Sequence, residues 1–309
     1  MEDTTIQDNI YALLEIPLTE LIARANDVRK EYIGDDFELC SIVNAKSGLC
    51  SEDCKFCAQS SRHKAKIETY LLISKEEIVT AAKKAKDVGA RKFGIVTSGN
   101  RLTDKELNTL VEAISEIKER IDITCCGSLG ALNKDQLKRL KEAGLERYHH
   151  NIETSPNFYP NIVSTHSFNE RIDTIKAAKE AGMQVCSGGI IGLGESWQDR
   201  IDMACILRDL DVDSVPLNLL IPLEGTPLEN QKTISCNDAI KTIALFRIIL
   251  KDKIIKIAAG RESILKDFQA MGFMAGANGM LIGGYLTQRG RDIESDKRLV
   301  DEVKHLWRE

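Results

Sequence analysis

The sequence predicts an α/β chain folded as a (β/α)8 TIM barrel, and three observations carry that reading. Short β-type runs alternate with longer amphipathic runs, and eight strand candidates fall between residues 39 and 284, close to the ~250 residues such a barrel needs. Two helical runs end in Ala-Gly and pass at once into a strand, the short return used by right-handed parallel βαβ units. No G-x-G-x-x-G opens a helix after the first strand, which places an open doubly wound sheet second.

Residues 1–36 read as an N-terminal helical extension and residues 37–309 as one barrel domain. The strand candidates are "LCSIV" (39–43), "KFGIVT" (92–97), "IDITCC" (121–126), "ERYHHNI" (146–152), "MQVCSGG" (183–189), "SVPLNLL" (214–220), "IIKIAA" (254–259) and "GMLIGG" (279–284). Of the helices between them, "SKEEIVTAAKKAKDVGA" has a capping box in Ser74 and Glu77 and a C-terminal stop in Gly89. "LNKDQLKRLKEAGLERY" and "SFNERIDTIKAAKEAGMQV" repeat the design. A barrel of this kind works at the C-terminal ends of its strands. Cys126, Asn151, Cys186 and Arg261 fall at or just beyond such ends, and a cysteine-rich stretch lies between the first strand and the first long barrel helix.

The formal net charge of −5 and the pI near 5.7 argue against a nucleic-acid-binding surface, which carries a basic stripe. No window reaches 18 uninterrupted apolar residues, so no membrane span is expected. The start, "MEDTTIQDNIYALLEIPL", is acidic and lacks the features of an export or transit signal. A cytoplasmic location follows as an expectation. There the nine cysteines serve as thiols, metal ligands or catalytic groups rather than disulfides.

Three of them stand in "SGLCSEDCKFCAQSS" (47–61): Cys50, Cys54 and Cys57. The spacing i, i+4, i+7 also lines one face of a buried helix, but the small polar flanks have a loop's composition. Structural zinc takes four protein ligands, and His63 would be a distant fourth. Three thiolates can instead hold a [4Fe–4S] cube and leave one iron without a protein ligand. That iron is free to take a small molecule.

"CSEDCKFC" resembles the Cys-x3-Cys-x2-Cys signature of the radical S-adenosylmethionine (SAM) enzymes, including an aromatic residue, Phe56, beside the last cysteine. "VNAKSGLCSEDCKFCAQSSRHK", "HHNIETSPNFYPNIVSTHSFNERIDTI", "VCSGGIIGLGE", "SVPLNLLIPLEGTPL", "AAGRE" and "FMAGANGML" are similar, in order, to blocks of the biotin synthase family over roughly residues 10 to 300. The resemblance implies sulfur insertion into dethiobiotin by 5′-deoxyadenosyl radicals, with a second, auxiliary iron–sulfur cluster as sulfur source. It implies Cys50, Cys54 and Cys57 as the catalytic cluster ligands, Asn151 and Glu153 as contacts to the nucleoside of SAM, and Asn218 as the partner of the ureido ring. It also implies an electron donor such as flavodoxin or ferredoxin, and a homodimer.

One departure stands out. The family's usual auxiliary [2Fe–2S] site uses three cysteines and an arginine. Cys126 and Cys186 match, and Arg261 in "AAGRE" is taken as the arginine, but the remaining cysteine position is Gly94. Cys40, on the first strand, is the replacement expected from strand alternation. Cys40, Cys126 and Cys186 are therefore expected to hold the auxiliary cluster, as four irons with an extra sulfide, with Arg261 nearby either as a ligand or only as positive charge. A bulge could exchange Cys126 for the adjacent Cys125, Cys40 could be a buried small residue, and Cys205 and Cys236 read as structural. The alternative functions are another radical SAM barrel enzyme, of hydrogenase-maturation or methylornithine-synthase type, and a non-catalytic iron–sulfur redox sensor.

Overall fold

Parallel strands close on themselves in the computed structural model, which describes residues 10–286 and 290–308. The strands are β1 (Glu38–Lys46), β2 (Lys92–Thr97), β3 (Thr124–Ser128), β4 (Arg147–His149), β5 (Gln184–Cys186), β6 (Gly189–Ile191), β7 (Ser214–Leu219), β8 (Ile254–Ile257) and β9 (Gly279–Leu281). Their order is β5-β4-β3-β2-β1-β9-β8-β7-β6, and a β5–β7 pairing completes the ring. β5 and β6 are two halves of one barrel strand, so the barrel is the eight-stranded one expected.

The break between those halves has a local cause. A Cβ on Gly188 would sit 2.0 Å from the carbonyl oxygen of Pro216, and one on Gly189 would sit 2.3 Å from that of Glu153. The backbone therefore passes too close to β7 and to the end of β4 for any side chain. Asn151 Oδ1 accepts from the freed Gly188 N–H at 3.1 Å. "CSGG" thus marks an interruption inside a strand that the sequence reading treats as continuous.

Boundaries differ elsewhere as well. The third strand starts at Thr124 instead of Ile121, because Ile121 N–H still donates to Ile117 O of the preceding helix at 2.8 Å. The helices are α1 (10–15), α2 (Leu18–Tyr32), α3 (Lys75–Asp87), α4 (Asp104–Arg120), α5 (Lys134–Ala143), α6 (Phe168–Glu180), α7 (Trp197–Asp209), α8 (Cys236–Leu250), α9 (Arg261–Ile264), α10 (Gln269–Met274) and α11 (Ile293–Arg308). Those from α3 to α8 pack outside the strands. Five begin with a capping box, Ser74 with Glu77 among them, which satisfies orphan N–H groups at the helix start. Gly89 follows α3 at φ +87°.

Helix α2 buries Leu21, Ile22 and Ala25 in the same core as the barrel. Residues 1–9 of the expected extension lie outside the described residues. At the far end of the chain, α11 lays Trp307 against Phe37, with the Arg29 guanidinium 3.9 Å from the indole centroid. Among the described residues no helix is long and apolar enough to cross a membrane.

Overpacking a closed contact costs about 1–3 kcal/mol. Gly188→Ala should lower the urea midpoint correspondingly, whereas Gly127→Ala, where an added Cβ meets only the side chains of Leu129 and Leu145, at 3.1 and 3.2 Å, should lower it less. Equal midpoints for the two variants would contradict this account of the strand break.

Candidate active site

Alternation along the strands decides which side chains face the interior. Cys126 lines the central cavity of about 410 Å³, whereas its neighbour Cys125 is buried in the apolar layer between barrel and helices. No bulge exchanges them: Cys125 pairs with Phe93, and Cys126 with Gly94. Cys40 and Cys186 line the same cavity and are close enough to Cys126 to influence one another electrostatically. Gly94 also lines it and brings no thiol.

Three charged side chains stand among these cysteines. Glu38 Oε1 accepts from Arg147 Nη1 at 2.6 Å and from Lys256 Nζ at 3.2 Å. Lys256 Nζ also donates to Cys40 Sγ at 3.5 Å. Burial pushes the Glu38 carboxyl up, but Lys256 and Arg147 outweigh it and hold the group at about 2. Burial likewise pushes the Cys40 thiol up to about 12, partly offset by Lys256, and Cys126 to about 11, partly offset by Arg147 and Lys256. Cys186 differs. Its burial is overcome by Lys256, by His149, whose Nδ1 lies 3.3 Å from Sγ, and by Arg147, and the thiol falls to about 6.

Arg261 is not in this group. It is fully buried, but its Nη2 pairs with Asp296 at 2.6 Å, its Nε donates to Tyr285 Oη at 3.0 Å, and it also contacts Gln269. It does not line the cavity. The expectation of Arg261 beside the auxiliary cysteines is therefore corrected: the cation that β8 sends inward is Lys256, five residues earlier. The guanidinium instead ties the start of α9 to α11.

The loop trio sits at the mouth. Cys57 lines the cavity, and Cys54 is buried among Tyr159, Ile162, Val163, Leu193 and Leu220, with Phe56 packed against the same cluster. Cys50 is fixed by its N–H to Gln59 O at 3.1 Å and its carbonyl to Ser61 N at 2.7 Å. Burial raises Cys54 well above the ordinary thiol range and Cys57 to about 11, the latter eased by backbone N–H groups of Gln59 and Ser60. Among the described residues no three His, Cys, Asp or Glu side chains converge tightly enough to share one metal ion. Both sets of cysteines offer thiolates, the usual ligands of iron–sulfur clusters.

A clamp holds this loop to the β4 side of the barrel. Asp53 accepts from the N–H groups of Ser164 and Thr165 at 2.9 and 3.2 Å. Arg171 Nη2 donates to His166 Nε2 at 2.9 Å, which puts the imidazole proton on Nδ1, and Nδ1 then donates to Glu52 Oε2 at 2.8 Å. Arg171 also donates to Asn151 O at 2.9 Å and lies 3.7 Å from Glu153. Asn151, Glu153 and Asn218 all line the cavity. Asn218 is held by Gly189 O and Ala259 N, each at 3.2 Å, which leaves one N–H and one lone pair unused.

Glu38, Arg147, His149, Lys256 and Arg171 are the residues that sequence reasoning missed. The signal was present for Lys256, a lone charge inside the apolar run "IIKIAA", and for Glu38 in "FELC".

A thiol-lined barrel of this kind is that of a radical SAM protein, and the radical SAM superfamily profile matches residues 46–204. The biotin and thiamin synthesis associated domain matches residues 216–304. The chain belongs to the biotin synthase family. It is 50% identical to the biotin synthase of Thermotoga petrophila over 96% of this chain and 98% of that one. It is 47% identical to that of Clostridium acetobutylicum over 92% and 87%. Among solved structures it is similar to methylornithine synthase (PylB), at TM-score 0.84 and 24% identity over 96% of this chain and 92% of that one. It also resembles the hydrogenase maturase HydG of Carboxydothermus hydrogenoformans, at TM-score 0.77 and 21% identity over 97% and 79%. Those two likenesses speak to the fold alone.

In metal-free protein, alkylation by iodoacetamide should reveal the asymmetry among the inner thiols. Thiolate, the reactive form, should accumulate at Cys186 as the pH rises through about 6, while Cys40 and Cys126 stay protonated until about 12 and 11. Peptide mapping that finds all three labelled together near the ordinary thiol range would contradict this electrostatic picture.

Proposed function

We propose that sulfur insertion into dethiobiotin takes place in this cavity, with Cys50, Cys54 and Cys57 as ligands of a [4Fe–4S] cluster and Cys40, Cys126 and Cys186 as ligands of the auxiliary one. The observation that supports this most is that Cys40, Cys126 and Cys186 line one cavity together with Cys57 of the loop, Asn151, Glu153 and Asn218. When bound, the loop cluster supplies the electron that cleaves SAM to methionine and a 5′-deoxyadenosyl radical, and the auxiliary cluster supplies the sulfur that closes the ring.

The protein's own part is binding, orientation and exclusion of water. Glu153, with Arg171 beside it, accepts hydroxyl hydrogens of the nucleoside, and Asn151 is fixed between Gly188 N–H and Glu153. Asn218 turns its unused donor and acceptor to the ureido ring. Leu219, Leu220, Leu223 and Leu286 give the cavity apolar walls that suit a carbon radical which must meet only its intended partner. An electron carrier such as flavodoxin or ferredoxin reduces the enzyme. With Gly94 in the usual cysteine position and Cys40 in its place, three thiols suit a four-iron auxiliary cluster carrying an extra sulfide better than a two-iron one.

Two measurements test this reading. Anaerobic enzyme with reductant and SAM should form 5′-deoxyadenosine, faster with dethiobiotin present, and should yield biotin; iron bound without SAM cleavage would contradict it. Cys40→Ala should lose the auxiliary iron and sulfide while keeping the loop cluster. Full iron, sulfide and biotin formation in that variant would remove Cys40 from the ligand set.

A further inference from the structure

Two cations share one carboxylate at the inner end of the cavity. Arg147, Lys256 and Glu38 have side chains 3%, 9% and 6% exposed, respectively, so their charges are almost wholly removed from water. The carboxylate offsets one of the two cations; the second is a positive surplus that faces Cys186, the inner thiol it draws toward the thiolate. Lys92, hydrogen-bonded to Thr124 Oγ1 at 3.1 Å, lines the same cavity and adds to the surplus, and His149 faces Cys186. Buried charge without a counter-charge costs several kcal/mol. Such a surplus is retained where an anion offsets it. The surplus here faces the three inner thiols: Lys256 Nζ touches Cys40 Sγ at 3.5 Å, and both Arg147 and Lys256 act on Cys126 and Cys186.

We propose that Lys256 and Arg147, held in place by Glu38, are positioning residues that fix a positive field at the sulfur-donating end of the cavity and favour the more negatively charged states of the group bound there. The inference rests on the ligand assignment of Cys40, Cys126 and Cys186 above. It assigns to Lys256 the charge that the sequence reading gave to Arg261. Glu38 has two effects: it orients both cations through one oxygen, and it opposes part of their field.

The sign of the effect separates this role from a structural one. In anaerobically loaded enzyme, Lys256→Met should retain its iron, shift the auxiliary midpoint potential to more negative values, and leave the loop cluster's midpoint unmoved, as read by spectroelectrochemical titration. Lys256→Arg should restore the wild-type value. Glu38→Gln, which removes the opposing charge, should shift the auxiliary midpoint the other way. Shifts of the same sign in Lys256→Met and Glu38→Gln, or no shift in either, would overturn the proposal. Should Lys256→Met fail to fold, the positive shift in Glu38→Gln and an unmoved midpoint in Lys256→Arg carry the test. Loss of auxiliary iron in Cys40→Ala bears on the ligand assignment, whereas these midpoints bear on the field alone.

Discussion

The two-residue alternation of the barrel strands, held in one parallel register, is the constraint on which the rest depends. Cys126 faces the interior because it pairs with Gly94 on one side and Arg147 on the other. Moving β3 by one residue would send Cys125 inward and Cys126 into the apolar layer beneath the helices. The same rule places Cys40, Cys186 and Lys256 around one space. These residues come from four strands and from positions 40 to 256, and no local motif joins them.

Near the mouth, hydrogen bonds of a loop replace the strand register. Asp53 and Glu52 anchor the loop to Ser164, Thr165 and His166, and Arg171 extends that anchor to Asn151 and Glu153. The side chains assigned to the nucleoside and those that hold the cysteine loop therefore belong to one network. A fully satisfied network of this kind adds rigidity to that of the packed side chains around it. Two chemistries also come from different parts of the chain: Cys40, Cys126, Cys186, Arg147 and Lys256 reach the cavity from strands, whereas Leu220, Leu223 and Leu286 reach it from beyond strand ends.

Much of this was legible in the sequence. The barrel followed from alternation, and the loop trio from spacing, because both are local patterns. Cys40 was legible as a cavity-lining residue because β1 keeps its register from Cys40 to Asn44, its one irregularity lying between Asn44 and Lys46. The break at Ser187–Gly188 was not, since "CSGG" needs its glycines for contacts with Pro216 and Glu153, which are distant in sequence. Arg261 was misplaced for a related reason. "IIKIAAGRE" carries two cations near one strand end, and only the partner of each, Asp296 for Arg261 and Glu38 for Lys256, separates a structural tie from a group facing the cavity. Arg147 and His149 sit within "ERYHHNI", where a run of polar residues hides which ones face inward.

The central claim is that two separate sets of three thiols hold two iron–sulfur clusters that serve one cavity. A crystal of the anaerobically loaded enzyme, with anomalous difference maps at the iron edge, tests it most directly. The account predicts two iron centres, one bonded to Cys50, Cys54 and Cys57 and the other to Cys40, Cys126 and Cys186, with Lys256 beside the second and Arg261 still paired with Asp296. A single iron centre, or a second centre bonded to Cys125 or Arg261, would contradict it.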